Sequence, residues 1–250
     1  MIINEIPVAG YERVVRAQDP TVGLHAIIAV HDLTLGPALG GLRMWPYPSE
    51  EEALTDVLRL AKGMTYKSAC AETGLGGGKA VIIEDPQRDK KEALFRTMGR
   101  FIDTLNGDYI TAEDVGISIR ELEWIRSETA YVTGLSREAG SSGNPSPFTA
   151  RGVMRGLRAC AEEAFGTSRL DGLHYAVQGL GHVGAEVVHG LSIIGSFVTV
   201  SDIDKERVDK FTSLPGVEAV DPDDIYDVEC DYFMPCALGG VINDDTIPRL

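Results

Sequence analysis

The segment "YAVQGLGHVGAEVV" (175–188) contains three glycines between an apolar run and a helix-like run. The run before the glycines, 173–179, is typical of a strand, and a helix is predicted from about 182 to 194. A second strand-like run, "SFVTVSD" (196–202), comes next. A strand, a helix and another strand in this order predict a βαβ unit with parallel strands.

The same alternation extends along the rest of the chain. Further strands are predicted at 24–32, 79–86, 109–114, 217–220 and 231–237. Helices are predicted at 49–67, at 90–107 with Gly107 as a C-cap, from Ser118 onward, and at 147–165 with Gly166 after its end. Ser49 with Glu52, and Ser118 with Glu121, have capping-box spacing. The alternation indicates an α/β fold with parallel sheets.

A stretch rich in Gly, Ser and Pro lies between 134 and 147. Segments of this composition are common between domains. We therefore expect two domains, residues 1–140 and residues 141–250.

The glycine turn of the βαβ unit matches G-x-G-x-x-G, and Asp202 ends the second strand. Such glycines let a pyrophosphate approach the helix N-terminus, and an acidic residue about 20 positions later binds ribose hydroxyls. Asp202, supported by Asp204, would repel a 2′-phosphate and so favour NAD over NADP. A plain tight turn and a methyltransferase-type nucleotide site are the alternatives.

The second domain is thus predicted to be a Rossmann-type, doubly wound NAD-binding domain. Its candidate cofactor-binding residues are those of the turn and of the later loop "PCALGG": Gly179, Leu180, Gly181, His182, Val183, Gly184, Cys236 and Ala237. The first domain is then expected to be an α/β domain as well.

Composition limits the classes of partner. The 250 residues carry a net charge of −15, which argues against binding to nucleic acid, and no apolar run approaches a membrane span. The N-terminus lacks the features of a signal peptide. The four cysteines form no C-x-x-C pair, so we expect reduced thiols in a cytoplasmic protein and no metal site.

The segment "GLGGGKAVI" (74–82) resembles a phosphate-binding loop but departs from that motif at two positions. Thr73 stands where the first glycine should be, and Ala80 stands where Ser or Thr should follow the lysine. The segment also leads into a strand rather than into a helix. We conclude that Lys79 serves a different chemistry.

Two further charged residues lie at the ends of predicted elements, as Lys79 does. Lys67 ends a helix and Asp114 ends a strand. If the three side chains converge on a cleft, the lysines would lower each other's pKa and provide a base near neutral pH. Separate, solvated charges are the alternative.

Several motifs resemble the amino-acid dehydrogenases that act on leucine, valine and phenylalanine, which are relatives of glutamate dehydrogenase. The similar segments cover essentially the whole chain: "GPALGGLRMW", "LRLAKGMTYKSA", "GLGGGKAVI", "YITAEDVG", "GSSGNPSPFTARGV", "VQGLGHVG" and "ECDYFMPCALGG". The likeness is greatest to the leucine-specific members. It implies reversible, NAD-dependent oxidative deamination of an L-amino acid to a 2-oxo acid and ammonia.

The resemblance also implies residue roles. Lys79 would activate the attacking water, and Asp114 would exchange protons with the substrate amino group and the departing ammonia. Residues near the substrate would be Lys67, paired with its carboxylate, the backbone of Gly40 and Gly41, and Met64 beside the site. Thr149 would lie near the nicotinamide carboxamide.

The resemblance further implies a branched aliphatic substrate, with Leu39 and Ala112 lining the side-chain pocket. A phenylalanine-type enzyme is the alternative. Homo-oligomers are implied, formed mainly through the first domain. The family pattern continues beyond Leu250, so we expect an incomplete NAD-binding domain. A non-catalytic nucleotide-binding or assembly module is therefore a second alternative.

Overall fold

The computed structural model describes residues 1–141 and 143–250. The chain divides into two compact units, Met1–Asn144 and Pro145–Leu250, each with its own sheet and apolar core. Within the described residues, no helix is both long enough and apolar enough to cross a membrane.

The first unit contains one six-stranded sheet. Its strands are β1 (Ile2–Glu5), β2 (Arg13–Asp19), β3 (Leu24–Asp32), β4 (Ala38–Trp45), β5 (Gly76–Ile83) and β6 (Tyr109–Glu113). The spatial order is β1-β2-β3-β5-β4-β6. The first four strands of this order pair antiparallel, whereas β4 is parallel to both β5 and β6.

The expectation of a purely parallel sheet is therefore wrong for the first unit. The sheet is mixed because short connections, rather than helices, join its first three strands. β1, β2 and β4 were not among the predicted strands. In β4 the pair Gly40–Gly41 interrupts the apolar pattern that would have indicated a strand.

Helices cover both faces of this sheet. Ser49 accepts a hydrogen bond from the Glu52 amide at 3.1 Å and begins α1 (Glu50–Cys70), which packs on one face. α2 (Glu92–Asp103) and α3 (Ile119–Arg126) pack on the other face. α1 runs past its predicted end at Lys67, and α2 ends before Gly107, which lies in the following turn with a φ of 95°.

The three glycines before Lys79 belong to β5 itself and not to a loop that precedes it. A Cβ atom at Gly77 would overlap the backbone nitrogen of Thr65 on α1, and one at Gly78 would lie 2.9 Å from the Tyr109 ring. The glycines are therefore required by the close approach of a helix and a neighbouring ring to the strand.

The second unit contains a four-stranded sheet with every pairing parallel. Its strands are β7 (His174–Gln178), β8 (Phe197–Ser201), β9 (Val217–Ala219) and β10 (Tyr232–Pro235), in the order β10-β7-β8-β9. Its helices are α4 (Ser146–Phe165), α5 (His182–Ile193) and α6 (Lys205–Phe211), with short 3-10 segments at Asp224–Asp227 and Ile247–Arg249.

The second sheet is buried on both faces. Residues of α4 and α5 share a core with Tyr175 and Val177, whereas Ala176, between these two, packs on Ile225 and Tyr226. Parallel strands covered on both sides are the arrangement of a doubly wound sheet. The predicted α/β fold with a Rossmann-type second part is confirmed.

Candidate active site

Lys79 and Asp114 form an ion pair in the first unit, where the lysine Nζ donates a hydrogen bond to Oδ2 of the carboxylate. Lys79 lies on β5 and Asp114 directly follows β6, and β4 runs between these two strands. The pair therefore spans β4, next to Gly41. A Cβ atom at Gly41 would lie only 2.7 Å from the Asp114 Cβ, so the missing side chain provides the space for the pair.

The surroundings of this pair shift the pKa of both groups. Only 6% of Lys79 is exposed. Burial lowers the pKa of Lys79, and although Asp114 opposes this effect, the pKa stays below its ordinary value. Burial acts to raise the pKa of Asp114, but the nearby cations Lys79 and Arg43 outweigh it and hold that pKa below its usual range. The result is a lysine that loses its proton more easily than an ordinary lysine, beside a carboxylate that holds its charge more strongly than usual.

Three polar residues that the sequence interpretation missed extend this pair into a network. Arg43 lies on β4 with its Nε 3.4 Å from Asp114 Oδ2. Its Nη1 donates to Asp56 Oδ2 on α1 at 2.7 Å, and the Tyr47 hydroxyl donates to the same oxygen at 2.7 Å. Arg43 stands two positions after Gly41 in a strand, so it shares that face of the sheet, and this period-two spacing was the available signal.

The predicted pocket residues Leu39 and Ala112 lie on the same face as this network. Leu39 is two positions before Gly41 on β4, and Ala112 is the cross-strand partner of Gly41 on β6. Both are partly buried. The space left by the missing side chain at Gly41 is taken up by Asp114, and Ala112 adds only a methyl group on this face.

Gly40 points to the opposite face and is fixed by a buried tyrosine. The Tyr109 hydroxyl donates to the Gly40 carbonyl oxygen at 2.6 Å, and Tyr109 is fully buried. A Cβ atom at Gly40 would overlap the carbonyl oxygen of Gly78 on β5. The orientation of the Gly40–Gly41 peptide is therefore set by its packing.

Lys67 and Met64 lie three residues apart on α1 and so on one side of that helix. Met64 is partly buried, whereas Lys67 is exposed. In the described part of the chain, no hydrogen bond or ion pair joins the Lys67 ammonium to Lys79 or Asp114. The lowered pKa of Lys79 comes from burial, with a contribution from Arg43, and not from Lys67 as the sequence suggested.

The glycine turn of the second unit connects β7 to α5, and its glycines have different surroundings. A Cβ atom at Gly184 would overlap the Gly179 carbonyl oxygen, and one at Gly179 would lie 2.8 Å from Ala237 Cα. At Gly181 a Cβ atom would meet no atom within 4 Å. Two glycines thus allow close packing, while the third leaves open backbone at the N-terminus of α5, as a bound pyrophosphate requires.

The remaining residues of the turn and of the "PCALGG" loop lie around these glycines. His182 and Val183 are the first two residues of α5, and Leu180 is buried. Cys236 is close enough that a Cβ atom at Gly184 would lie 3.2 Å from its Cβ. Thr149, in the first turn of α4, is exposed and donates its hydroxyl to the Pro145 carbonyl oxygen at 3.2 Å.

Asp202 follows β8 and is held by the backbone of two loops. Its Oδ2 accepts a hydrogen bond from the Leu180 amide at 2.6 Å, and its Oδ1 accepts one from the Asp204 amide at 2.8 Å. Each carboxylate oxygen keeps a second lone pair for an additional donor. Asp204 caps α6 by accepting from the Glu206 amide at 3.1 Å. The glycine turn and Asp202 therefore fit a dinucleotide with free ribose hydroxyls.

Comparisons with known proteins identify relatives of this chain. Residues 11–131 match the family model described as Glu/Leu/Phe/Val dehydrogenase, dimerisation domain. Leucine dehydrogenase of Geobacillus stearothermophilus is 60% identical over 240 residues, which are 96% of this chain and 65% of the relative. Phenylalanine dehydrogenase of Caldalkalibacillus thermarum is 51% identical, with 97% of this chain and 67% of the relative covered.

A solved structure gives the same result. The crystal structure of L-tryptophan dehydrogenase from Nostoc punctiforme matches with a TM-score of 0.68 and 45% identity, covering 96% of this chain and 68% of that one. The chain spans only 65–66% of the length of the leucine dehydrogenases that it matches. Both the sequence identity and the shared fold lead to one conclusion: this chain belongs to the Glu/Leu/Phe/Val dehydrogenase family.

Proposed function

We propose that this protein catalyses the NAD-dependent, reversible oxidative deamination of a branched-chain aliphatic L-amino acid to its 2-oxo acid and ammonia. The observation that carries the proposal is the buried Lys79–Asp114 ion pair. The 60% identity to a leucine dehydrogenase supports the reaction class and the branched-chain preference.

Lys79 and Asp114 divide the proton transfers between them in this proposal. Lys79, whose pKa burial lowers, takes a proton from the water that adds to the oxidised α-carbon. Asp114, which is ionised before the substrate binds, takes a proton from the substrate amino group and later gives one to the departing ammonia. The contact between the two groups lets a proton pass from one to the other without crossing solvent.

The substrate-binding roles are proposals that follow from position. Lys67 carries an exposed ammonium that is available for the substrate carboxylate, beside the Gly40–Gly41 backbone and Met64. Leu39 and Ala112 would line the space for an aliphatic side chain. A phenylalanine-type preference is the second candidate, because a phenylalanine dehydrogenase is 51% identical to this chain over 248 residues.

The second unit holds NAD in this proposal. The open backbone of Gly181 and the N-terminus of α5 would hold the pyrophosphate, and Asp202 would accept hydrogen bonds from the adenosine ribose. Leu180, His182 and Val183 would complete the turn, Cys236 and Ala237 would belong to the loop that lines the cofactor crevice, and Thr149 would lie near the nicotinamide carboxamide. When bound, the nicotinamide accepts a hydride from the substrate α-carbon.

We further propose that residues 1–140 bind the amino acid and form a homo-oligomer, and that residues 141–250 bind the cofactor. The match of 11–131 to a model described as a dimerisation domain supports the oligomer. The sequence prediction of a cytoplasmic location stays a proposal.

An assay of NADH formation tests the function directly. The protein is supplied with NAD and with leucine, valine, isoleucine or phenylalanine at alkaline pH, and the rate is followed by NADH absorbance. We expect turnover with the aliphatic substrates, and a loss of at least about a hundredfold in Lys79→Ala. NAD binding without turnover on any substrate would instead support the alternative of a non-catalytic nucleotide-binding module.

A further inference from the structure

A guanidinium stands beside the Lys79–Asp114 pair, on the strand that separates its two members. We propose that Arg43 is a positioning residue, which holds the Asp114 carboxylate against Lys79 while Asp56 holds the guanidinium in place. The inference rests on the deamination function proposed above, and it adds to that function a residue that acts through Asp114.

Strand order explains why Arg43 can do this. β4 lies between β5, which carries Lys79, and β6, which ends at Asp114. Arg43 shares the face of Gly41, where the carboxylate crosses β4, and its Nε lies 3.4 Å from Asp114 Oδ2. Its side chain is only 12% exposed, so little solvent screens the interaction.

The far end of the guanidinium is anchored to α1. Arg43 Nη1 donates to Asp56 Oδ2 at 2.7 Å, and the Tyr47 hydroxyl donates to the same oxygen at 2.7 Å. Arg59, which is 58% exposed, approaches the other oxygen of Asp56 at 3.4 Å. The guanidinium thus faces two carboxylates: Nη1 hydrogen-bonds Asp56, whereas Nε makes an ion-pair contact with Asp114 without a hydrogen bond. A lysine ammonium has no second nitrogen to divide between them.

The net charge around Asp114 changes during the reaction, because Lys79 alternates between its charged and neutral forms. Lys79, Arg43, Asp114 and Asp56 sum to zero while the lysine is protonated. When Lys79 is neutral, Asp114 loses its ammonium partner, and a buried carboxylate without a cation is costly. Arg43 remains charged, because Asp114 and Asp56 outweigh the effect of burial and hold its pKa above the ordinary value. Arg43 therefore keeps Asp114 ionised and in place during the part of the cycle in which Lys79 acts as a base.

Charged and titratable groups face Arg43 and its two carboxylates from several elements. They come from β5, the end of β6, α1, the segment after β4, and the other face of β6: Lys79, Asp114, Asp56, Arg59, Tyr47 and Tyr109. Arg43 forms ion pairs with both carboxylates, whereas the ion pair of Arg59 is with Asp56.

The test compares Arg43→Gln with the matched control Arg59→Gln in the 250-residue chain. Each variant removes one guanidinium from Asp56, but only the first removes it from Asp114. For Arg43→Gln we expect kcat to fall by about tenfold or more with little change in KM. We also expect the acid limb of the kcat/KM profile to move up by about one pH unit, because Lys79 loses a nearby cation. Arg59→Gln should leave both quantities unchanged.

A conservative variant separates charge from geometry. Arg43→Lys restores the charge, so the acid limb should return toward the wild-type position while kcat recovers only in part. If Arg43→Gln proves unable to fold, as judged by thermal unfolding, Arg43→Lys carries the test alone. A wild-type kcat in that variant would overturn the proposal, as would a folded Arg43→Gln with unchanged kcat and acid limb.

A readout that needs no turnover distinguishes this inference from the proposed function. The rate at which an amine-selective reagent modifies Lys79 is measured against pH by mass spectrometry. The pH at which the labelling rate is half-maximal should rise in Arg43→Gln and stay constant in Arg59→Gln. An inactive wild type would defeat the proposed function, yet the labelling would still decide whether Arg43 controls the Lys79–Asp114 pair. Equal midpoints in all three proteins would show that it does not.

Discussion

The close packing around Gly41 predicts that the substitution Gly41→Ala lowers both activity and stability. In Gly41→Ala, the added Cβ would lie 2.7 Å from the Asp114 Cβ and 2.9 Å from the Glu113 carbonyl oxygen. Carbon atoms in van der Waals contact are about 3.5–4.0 Å apart, so Asp114 has to move by about 1 Å. Overpacking of this kind costs about 1–3 kcal/mol of stability, and a 1 Å displacement of a reacting group costs about a hundredfold in rate.

The assay for Gly41→Ala combines urea unfolding with steady-state deamination of leucine. We expect the loss to appear mainly in kcat, because the displaced group transfers protons. Gly63→Ala is the matched control, since the added Cβ on α1 meets no atom within 4 Å. It should keep the wild-type rate and gain about 0.5–1 kcal/mol from the better helix former. A Gly41→Ala protein with wild-type kcat would refute the argument that this glycine makes room for the pair.

Three further predictions concern other parts of the chain. Burial raises the pKa of Glu121, but hydrogen bonds from Ser118 outweigh this and hold it below 4.5. The stabilisation by Glu121 is thus present above pH 4.5 and lost as the pH falls through the folded-state pKa. Glu121→Gln should therefore lower the free energy of unfolding by about 1–2 kcal/mol at neutral pH. In this variant the free energy of unfolding, measured with urea, should also fall less steeply as the pH is lowered. Asp202→Ala should weaken NAD more than NADP in binding titrations. Gly184→Ala should lose both stability and NAD affinity, whereas Gly181→Ala should fold normally and lose NAD affinity alone, as calorimetry and titration would show.

Controls and contrary outcomes are available for each of these. An unchanged acid slope in Glu121→Gln would mean that other carboxylates determine acid unfolding. Asp209→Ala removes the same charge from an exposed position on α6 and should leave the ratio of the NAD and NADP affinities unchanged. Equal losses for both cofactors in Asp202→Ala would argue against its contact with the ribose. Full NAD affinity in Gly181→Ala would place the pyrophosphate elsewhere.

The parts of the fold that depend on neighbouring residues were accessible from sequence. The glycine turn at 179–184, Asp202 at the end of its strand, and the Ser118–Glu121 cap are all found where their spacing predicted, because each is determined within one βαβ unit or one helix turn. The Ser118 amide donates to the Glu121 carboxylate at 2.7 Å, which is the expected half of a capping box.

The network around Lys79 was accessible only in part, because it depends on strand order. Lys79 and Asp114 stand out in the sequence as charges at element ends, but their contact needs β4 to lie between β5 and β6. Nothing in local patterning indicates that order, so Arg43 and its partner Asp56 were missed. The same reason explains the mixed sheet, since the antiparallel placement of β3 beside β5 joins distant parts of the chain.

The absence of side chains at the start of β5 determines which positions of this protein can be substituted without loss of stability. A single methyl group at Gly77 would collide with the backbone of Thr65, and relieving that collision means lifting a helix of 21 residues together with its Asp56 carboxylate. Substitutions that alter substrate preference are therefore expected at positions whose side chains border free volume. The three glycines at the start of β5 should tolerate almost no substitution, whichever amino acid is the substrate.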